Sequence, residues 1–307
     1  MILAICPNPC VDVTIELDFL NVGRMNRIRN KQETYAGKAL NVAVSVERLG
    51  GESFLTGFMY EGNGRQFVSC CAKENVKNEF VWSDGLARVN YKIIDNKSMM
   101  TEINDKGEKV SLEKQEELIK IVAEKSKNCS VAVMSGSLPQ NVGDDFYAKL
   151  CSAISSNVKK IVDTEGEALI KAVKTGVYLI KPNLEEMERT VGKRLETVNE
   201  MLEACKYMIN LGAENVLLSL GRKGAILTNG LKSYFCKSAS VAVNSTVGAG
   251  DSMVAAACIQ IEKGKDLPEI LKCAVAGGTA SVTTPGTGLV YLDKYNEILE
   301  RLVVEEL

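Results

Sequence analysis

The run Asn244-Ser-Thr-Val-Gly-Ala-Gly-Asp251-Ser-Met-Val-Ala-Ala couples a glycine-rich turn to one carboxylate and a small, apolar tail. Gly248 and Gly250 let the backbone turn sharply and bring amide N–H groups close to a ligand. The small apolar residues after Asp251 predict a helix that begins there. Free N–H groups at its N-terminus would stabilise charge on a phosphoryl group in flight. An aspartate beside such an anion hole can accept a proton from an attacking hydroxyl. The same residues also suit a plain glycine turn with Asp251 as a favourable first-turn carboxylate. Gly-Ala-Gly alone does not choose between the two.

Other stretches carry polar residues with open readings. In Lys181-Pro-Asn183-Leu-Glu-Glu186, Pro182 ends a strand, and Asn183 and Glu186 have the spacing of a helix capping box. Ser219-Leu-Gly221-Arg-Lys-Gly224-Ala, flanked by apolar runs, reads as a tight turn between strands. Asp12 fits a turn, and Gly37 to Asn41 fit a helix start. Arg24, Arg27, Lys38 and Arg88, each taken alone, read as surface charges.

Composition narrows the chemistry. The 307-residue chain has no histidine, which excludes a His base, a Ser-His or Cys-His couple and imidazole metal ligands. Proton transfer then falls to carboxylates, Lys, Cys or Tyr, and a metal would take oxygen ligands, which suits Mg²⁺. Lys+Arg 37 against Asp+Glu 39 gives a net charge of -2, with no basic excess to hold a nucleic acid. The 10 cysteines lack zinc-like spacing and sit mostly among apolar residues, as expected of reduced core residues in a cytoplasm. Met1-Ile-Leu-Ala-Ile-Cys-Pro7 has no basic n-region and reads as a first strand, not a signal peptide. No apolar run approaches the ~18 residues of a membrane span.

The elements that must position these residues alternate. Short β-branched runs at Ile2–Cys6, Ser53–Gly57, Val131–Met134, Lys160–Val162, Val177–Ile180 and Val216–Ser219 predict strands. Between them lie helical patterns such as Ala39–Leu49, stopped by Gly50-Gly51. This order predicts an α/β fold, with a mostly parallel central sheet and helices on both faces. Residues 13–34 and about 86–110 break the rhythm with alternating polar and apolar side chains, as a small antiparallel β lid would. No linker composition divides residues 1–307. The charge-rich run Glu113–Lys127 reads as a solvated helix face.

The Asn244 to Ala256 string closely resembles the C-terminal signature of the ribokinase-like carbohydrate kinases, in their phosphosugar-kinase branch. The resemblance makes Asp251 the catalytic base and gives the anion hole to Gly248, Ala249 and Gly250. It assigns Lys181 and Asn183 to ATP, and Asn183 with Glu186 to a Mg²⁺ held largely through water. Ser219, Gly221 and Gly224 look like the family's nucleotide loop. Asp12, Gly37, Lys38 and Asn41 match its sugar-binding positions, although Ala39 stands where the family usually has glycine. Arg88 matches a phosphate-binding arginine, with Arg24, Arg27, Lys38 and Ser137 as further candidates for that phosphate. Thr101-Glu-Ile-Asn104 resembles 1-phosphofructokinases, although Gly107-Glu108 replaces their usual Gly-Pro. The matches run from Asn8 to Gly286.

The implied activity is phosphorylation of a ketohexose phosphate by MgATP, first D-fructose 1-phosphate to fructose 1,6-bisphosphate. Tagatose 6-phosphate and fructose 6-phosphate are the alternatives within the family. An inactive nucleotide- or sugar-binding regulator is the alternative outside it. A monovalent cation such as K⁺ belongs to the same expectation. Two lids with exposed edges predict a homodimer formed through them.

Overall fold

A computed structural model describes the chain from Met1 to Leu307 except Ser98 and residues 285–287, so Gly286 lies outside the described residues. Its strands are β1 Ile2–Cys6, β2 Cys10–Glu16, β3 Asn30–Ala36, β4 Ser53–Tyr60, β5 Lys77–Ser83, β6 Arg88–Ile94, β7 Met100–Asn104, β8 Val131–Ser135, β9 Lys159–Asp163, β10 Val177–Ile180, β11 Ala213–Ser219, β12 Ala225–Thr228, β13 Ser233–Cys236 and β14 Val304–Glu306. Its helices are α1 Lys38–Arg48, α2 Gly64–Lys73, α3 Leu112–Lys125, α4 Phe146–Ala153, α5 Gly166–Val173, α6 Leu184–Val191, α7 Val198–Leu211, α8 Ala249–Glu262, α9 Leu267–Ser281 and α10 Leu292–Leu299.

A 10-stranded sheet in the order β14-β13-β12-β11-β10-β9-β8-β1-β4-β5 forms the body. From β11 to β5 the strands run parallel, and β12, β13 and β14 extend them antiparallel. β1 and β8 are buried along their whole length, as expected of strands covered on both faces. The period of two sends Ile2, Ala4 and Cys6 into the core beneath α1, α8 and α9. Leu3 and Ile5 enter the opposite core beneath α3, α4, α5 and α7. Glu113–Lys127 falls on α3, which buries Gln115, Leu118 and Val122 and leaves its charges outside.

The lid is a 4-stranded sheet in the order β3-β2-β6-β7. Its two hairpins are antiparallel, and the β2–β6 pair joining them is parallel. The parallel pair arises because the chain leaves β3, builds α1 to β5 in the body, and re-enters the lid beside β2 in the same direction. The lid also begins earlier than residue 13: β2 starts at Cys10, so Asp12 lies in a strand and not in a turn.

Candidate active site

The C-terminal ends of β9, β10 and β11 and the N-termini of α1, α6 and α8 open onto one cleft of about 750 Å³ beneath the lid. Ligand sites of open parallel sheets form at this edge. Three helix N-termini also give the cleft a bias toward anions before any side chain is counted.

The sequence from Gly248 to Asp251 starts α8 at that cleft. Gly248 is its N-cap at φ 79°, and a Cβ there would lie 2.7 Å from Leu289 Cδ2. The left-handed backbone requires glycine, and a Cβ would also push the Leu289 side chain aside. The N–H groups of Gly248, Gly250 and Asp251 have no hydrogen-bond partner among the described residues. Ala249 differs from the expected set: its N–H makes a 3.4 Å contact to the Thr246 carbonyl. The donors free for an anion are its neighbours.

Asp251 is 7% exposed, and Asn41 Nδ2 donates to its Oδ2 at 2.8 Å. Burial and the nearby Asp163 push its pKa from 3.8 up to about 6, against the opposing effects of Lys38, Asn41 and Lys181. A carboxylate that titrates there can accept a proton near neutral pH.

Asp163, at the end of β9, is fully enclosed. Its Oδ1 lies 3.3 Å from Lys181 Nζ and 3.7 Å from Lys38 Nζ. Neither contact is an aligned hydrogen bond, so the attraction is coulombic, while the Ser135 hydroxyl donates to Oδ2 at 3.0 Å. Burial raises the Asp163 pKa, but Lys181, Lys38 and Ser135 together outweigh it and hold the group ionised below its usual value. Asp163 in turn raises the pKa of Lys38, against the effect of burial.

A second cavity of about 540 Å³ adjoins the cleft and shares Ser219, Thr246 and Gly250 with it. Ala239, Val241, Val243, Met253 and Val282 give it apolar walls suited to a flat ring, and Gly221 lines it. Gly224 lines neither cavity. It serves the β11–β12 turn, where at φ 112° a Cβ would clash with the Cys236 carbonyl, so here the turn reading holds.

Asn183 and Glu186 cap α6 reciprocally: Glu186 N donates to Asn183 Oδ1 and Asn183 N to Glu186 Oε2, both at 2.8 Å. Both also line the cleft, and Glu186 Oε1 makes no hydrogen bond among the described residues. No group of three His, Cys, Asp or Glu there could hold a metal by itself. A hard cation placed at Glu186 would keep waters and lean on substrate phosphates, the habit of Mg²⁺.

The lid contributes Asp12, Arg88, Asn90 and Lys92 to the cleft. Arg88 Nη1 donates to the Asp105 carbonyl at 3.0 Å and Nη2 to the Asn8 carbonyl at 3.4 Å, while its buried Nε has no partner. Ser137 lies beside it, its hydroxyl accepting from Asn8 Nδ2 at 3.3 Å. Gly37 and Lys38 open α1 at the cleft floor. Ala39 is fully buried in the first turn of α1 and is not among the positive-φ residues, so its methyl group sits in the core without backbone strain. Arg24 and Arg27 fall outside the cleft. They sit on the exposed turn between β2 and β3, which Asn21, Asn26 and the Arg29–Asp18 pair hold outward.

Sequence reasoning missed Asp163, Asn90 and Lys92. Asp163 had a signal in its place at the end of a parallel strand. Asn90 and Lys92 had one in sharing the face of β6 that carries Arg88.

The family described as pfkB family carbohydrate kinase matches residues 7–294. A 1-phosphofructokinase of Borreliella burgdorferi is 33% identical over 92% of this chain and 91% of its own. A tagatose-6-phosphate kinase of Staphylococcus epidermidis is 30% identical over 100% of both. Among solved structures, phosphofructokinase-2 from Escherichia coli in complex with potassium superposes with a TM-score of 0.91 at 28% identity, covering 98% of each chain.

Proposed function

Because the chain belongs to the pfkB family of carbohydrate kinases, we propose that it moves the γ-phosphoryl group of ATP onto the free hydroxymethyl group of D-fructose 1-phosphate, giving fructose 1,6-bisphosphate. One observation carries the reading: a buried aspartate with a pKa near 6 and the unpartnered amides of a helix start meet where the two cavities join.

ATP lies with its base in the 540 Å³ cavity and its phosphates over α8 and Lys181. The sugar lies in the 750 Å³ cleft, its phosphate at Arg88, Ser137 and Asn8 and its ring against Asp12, Gly37 and Asn41. Asp251 takes the hydroxyl proton as the new P–O bond forms and the bond to the leaving ADP oxygen breaks. The Gly248, Gly250 and Asp251 amides stabilise the charge on the phosphoryl oxygens in flight. Asn183 and Glu186 would hold Mg²⁺, largely through water, and it would supply charge neutralisation for the ATP phosphates.

Residues 1–307 form one kinase domain with its lid, working in a reducing cytoplasm as the unpaired cysteines suggest. A monovalent cation belongs to the reading because the Escherichia coli neighbour carries potassium. The full-length Staphylococcus epidermidis relative makes tagatose 6-phosphate the second substrate to try. A panel of phosphorylated and free ketohexoses with ATP tests the assignment. Fastest turnover of fructose 1-phosphate supports it, and efficient use of a free sugar or nucleoside overturns it.

A further inference from the structure

We infer that Lys92 determines sugar specificity by reading, jointly with Asp12, the adjacent C3 and C4 hydroxyls of the ketohexose, an assignment that rests on the reading above. Lys92 Nζ lies 2.6 Å from Asp12 Oδ2, with the two side chains 9% and 8% exposed. Desolvating both charges offsets much of their attraction, so such a pair is a poor source of stability. A purely structural pair would also have its remaining hydrogen-bonding positions filled by protein.

The Asp12 carboxylate is fixed in place. Its Oδ1 accepts from Asn90 Nδ2 at 3.2 Å and from Cys10 Sγ at 3.4 Å. The ammonium group is not saturated: Asp12 is its one hydrogen-bond partner among the described residues, which leaves two N–H donors. Glu102 stands opposite Lys92 across the β6–β7 pair and lines the same cleft, yet forms no ion pair with it. The two donors therefore face the sugar cleft from a buried position.

A carboxylate alone accepts and an ammonium alone donates. Side by side they match two neighbouring hydroxyls, one donating to Asp12 and the next accepting from Lys92. Arg88, Asn90 and Lys92 alternate along one face of β6. A sugar anchored by its phosphate near Arg88 would present its ring hydroxyls further along that strand. In a ketohexofuranose the C3 and C4 hydroxyls lie between the two hydroxymethyl ends, the position left between phosphate anchor and reacting group. Fructose and tagatose differ in configuration at C4, so the same pair would discriminate between them.

The test compares wild type with Lys92→Met on fructose 1-phosphate, its 3-deoxy and 4-deoxy analogues, and tagatose 1-phosphate. Lys92→Met should lower kcat/KM on fructose 1-phosphate roughly 10- to 100-fold, the usual effect of losing a charged hydrogen bond, mainly through KM. On the analogue that already lacks the contacted hydroxyl, the variant's loss should be about 10-fold smaller than on fructose 1-phosphate. The preference between fructose and tagatose 1-phosphates should move toward one. The same loss on every sugar, both deoxy analogues included, would overturn the inference and leave Lys92 as a counter-charge for Asp12.

Because Lys92→Met leaves Asp12 buried and unpaired, Asp12→Asn and Asp12→Asn/Lys92→Met form a second comparison without that charge. A double variant roughly 10-fold worse than Asp12→Asn on fructose 1-phosphate supports the contact, and equal activity refutes it. If wild type turns over no ketohexose phosphate, the proposed function fails and this inference falls with it. Turnover with a uniform loss removes the inference alone.

Discussion

Replacing Asp251 by Asn should make the protein more stable while removing most of its activity. The folded environment raises the Asp251 pKa from 3.8 to about 6, through burial first and Asp163 second. The folded state thus binds this proton more tightly than the unfolded state, and the ionised carboxylate destabilises the fold above pH 6. At about 1.4 kcal/mol per pH unit, the gap amounts to about 3 kcal/mol at pH 7.5. The penalty shrinks as pH falls through about 6 and is below about 1 kcal/mol near pH 4. Asn carries no charge at any of these pH values, and its side-chain oxygen can still accept from Asn41. Urea denaturation of both proteins at pH 7.5, 6, 5 and 4 should show a stability gain in the variant at high pH that closes toward pH 4, each pH being a chosen condition in the titration range. Over the same series kcat should fall about 10²- to 10⁴-fold, the usual contribution of a general base. The wild-type kcat/KM should lose activity on the acid side near pH 6, where the free enzyme's base protonates. A variant no more stable than wild type at pH 7.5 would refute the claim that burial and Asp163 strain this carboxylate. Near-wild-type turnover would remove Asp251 from the base role.

Glu186→Gln should raise the Mg²⁺ concentration for half-maximal rate more than it lowers the melting temperature, since an amide oxygen can still take the capping bond from Asn183 N. A lower melting temperature with unchanged Mg²⁺ dependence would leave the motif as a helix cap. Arg88→Ala should lower kcat/KM on fructose 1-phosphate by roughly 10- to 100-fold and change the slow reaction with free fructose by less than about 3-fold. Equal loss on both sugars would mean that Arg88 only fastens the Asp105 and Asn8 carbonyls. The lid exposes Tyr91 and Ile103, paired across β6 and β7, at 41% and 56%. The chain should therefore sediment as a homodimer at micromolar concentration, and Ile103→Glu should shift it to monomer.

Much of the fold was legible because its information is local. Ile2–Cys6 and Val177–Ile180 are short apolar runs whose bounds in the structure are those predicted. Other strands extend the predicted run, as β4 does to Tyr60, because pairing with β5 carries the ladder past Gly57 through Phe58, Met59 and Tyr60. The pairing of β2 with β6 was not legible, since it is a non-local choice between strands separated by much of the body. The candidate site divides in the same way. Asp251 and its glycines share one turn and could be read from sequence. Asp163 looks like any charge ending a strand, and Lys92 like any exposed lysine on an alternating strand, until the fold brings body and lid to one cleft. Arg24 and Arg27 lie away from this chain's own cleft for the opposite reason: a basic cluster in sequence became an outward turn in space.

The absence of histidine gives these pieces a common logic. A base useful near neutral pH must here be a side chain whose pKa has been shifted, and at Asp251 burial with a neighbouring anion supplies the shift. Asp163 is that neighbour, yet it also attracts Lys38 and Lys181, which bring positive charge to the same cleft. The two lysines oppose the rise at Asp251 that burial and then Asp163 produce, so the value near 6 is a balance and not a by-product of burial alone. Removing Asp163 would disturb both sides, since the lysines would lose their shared partner as Asp251 lost its repulsion. Three helix N-termini then offset the concentration of acidic groups without adding another ionisable side chain that could upset that balance.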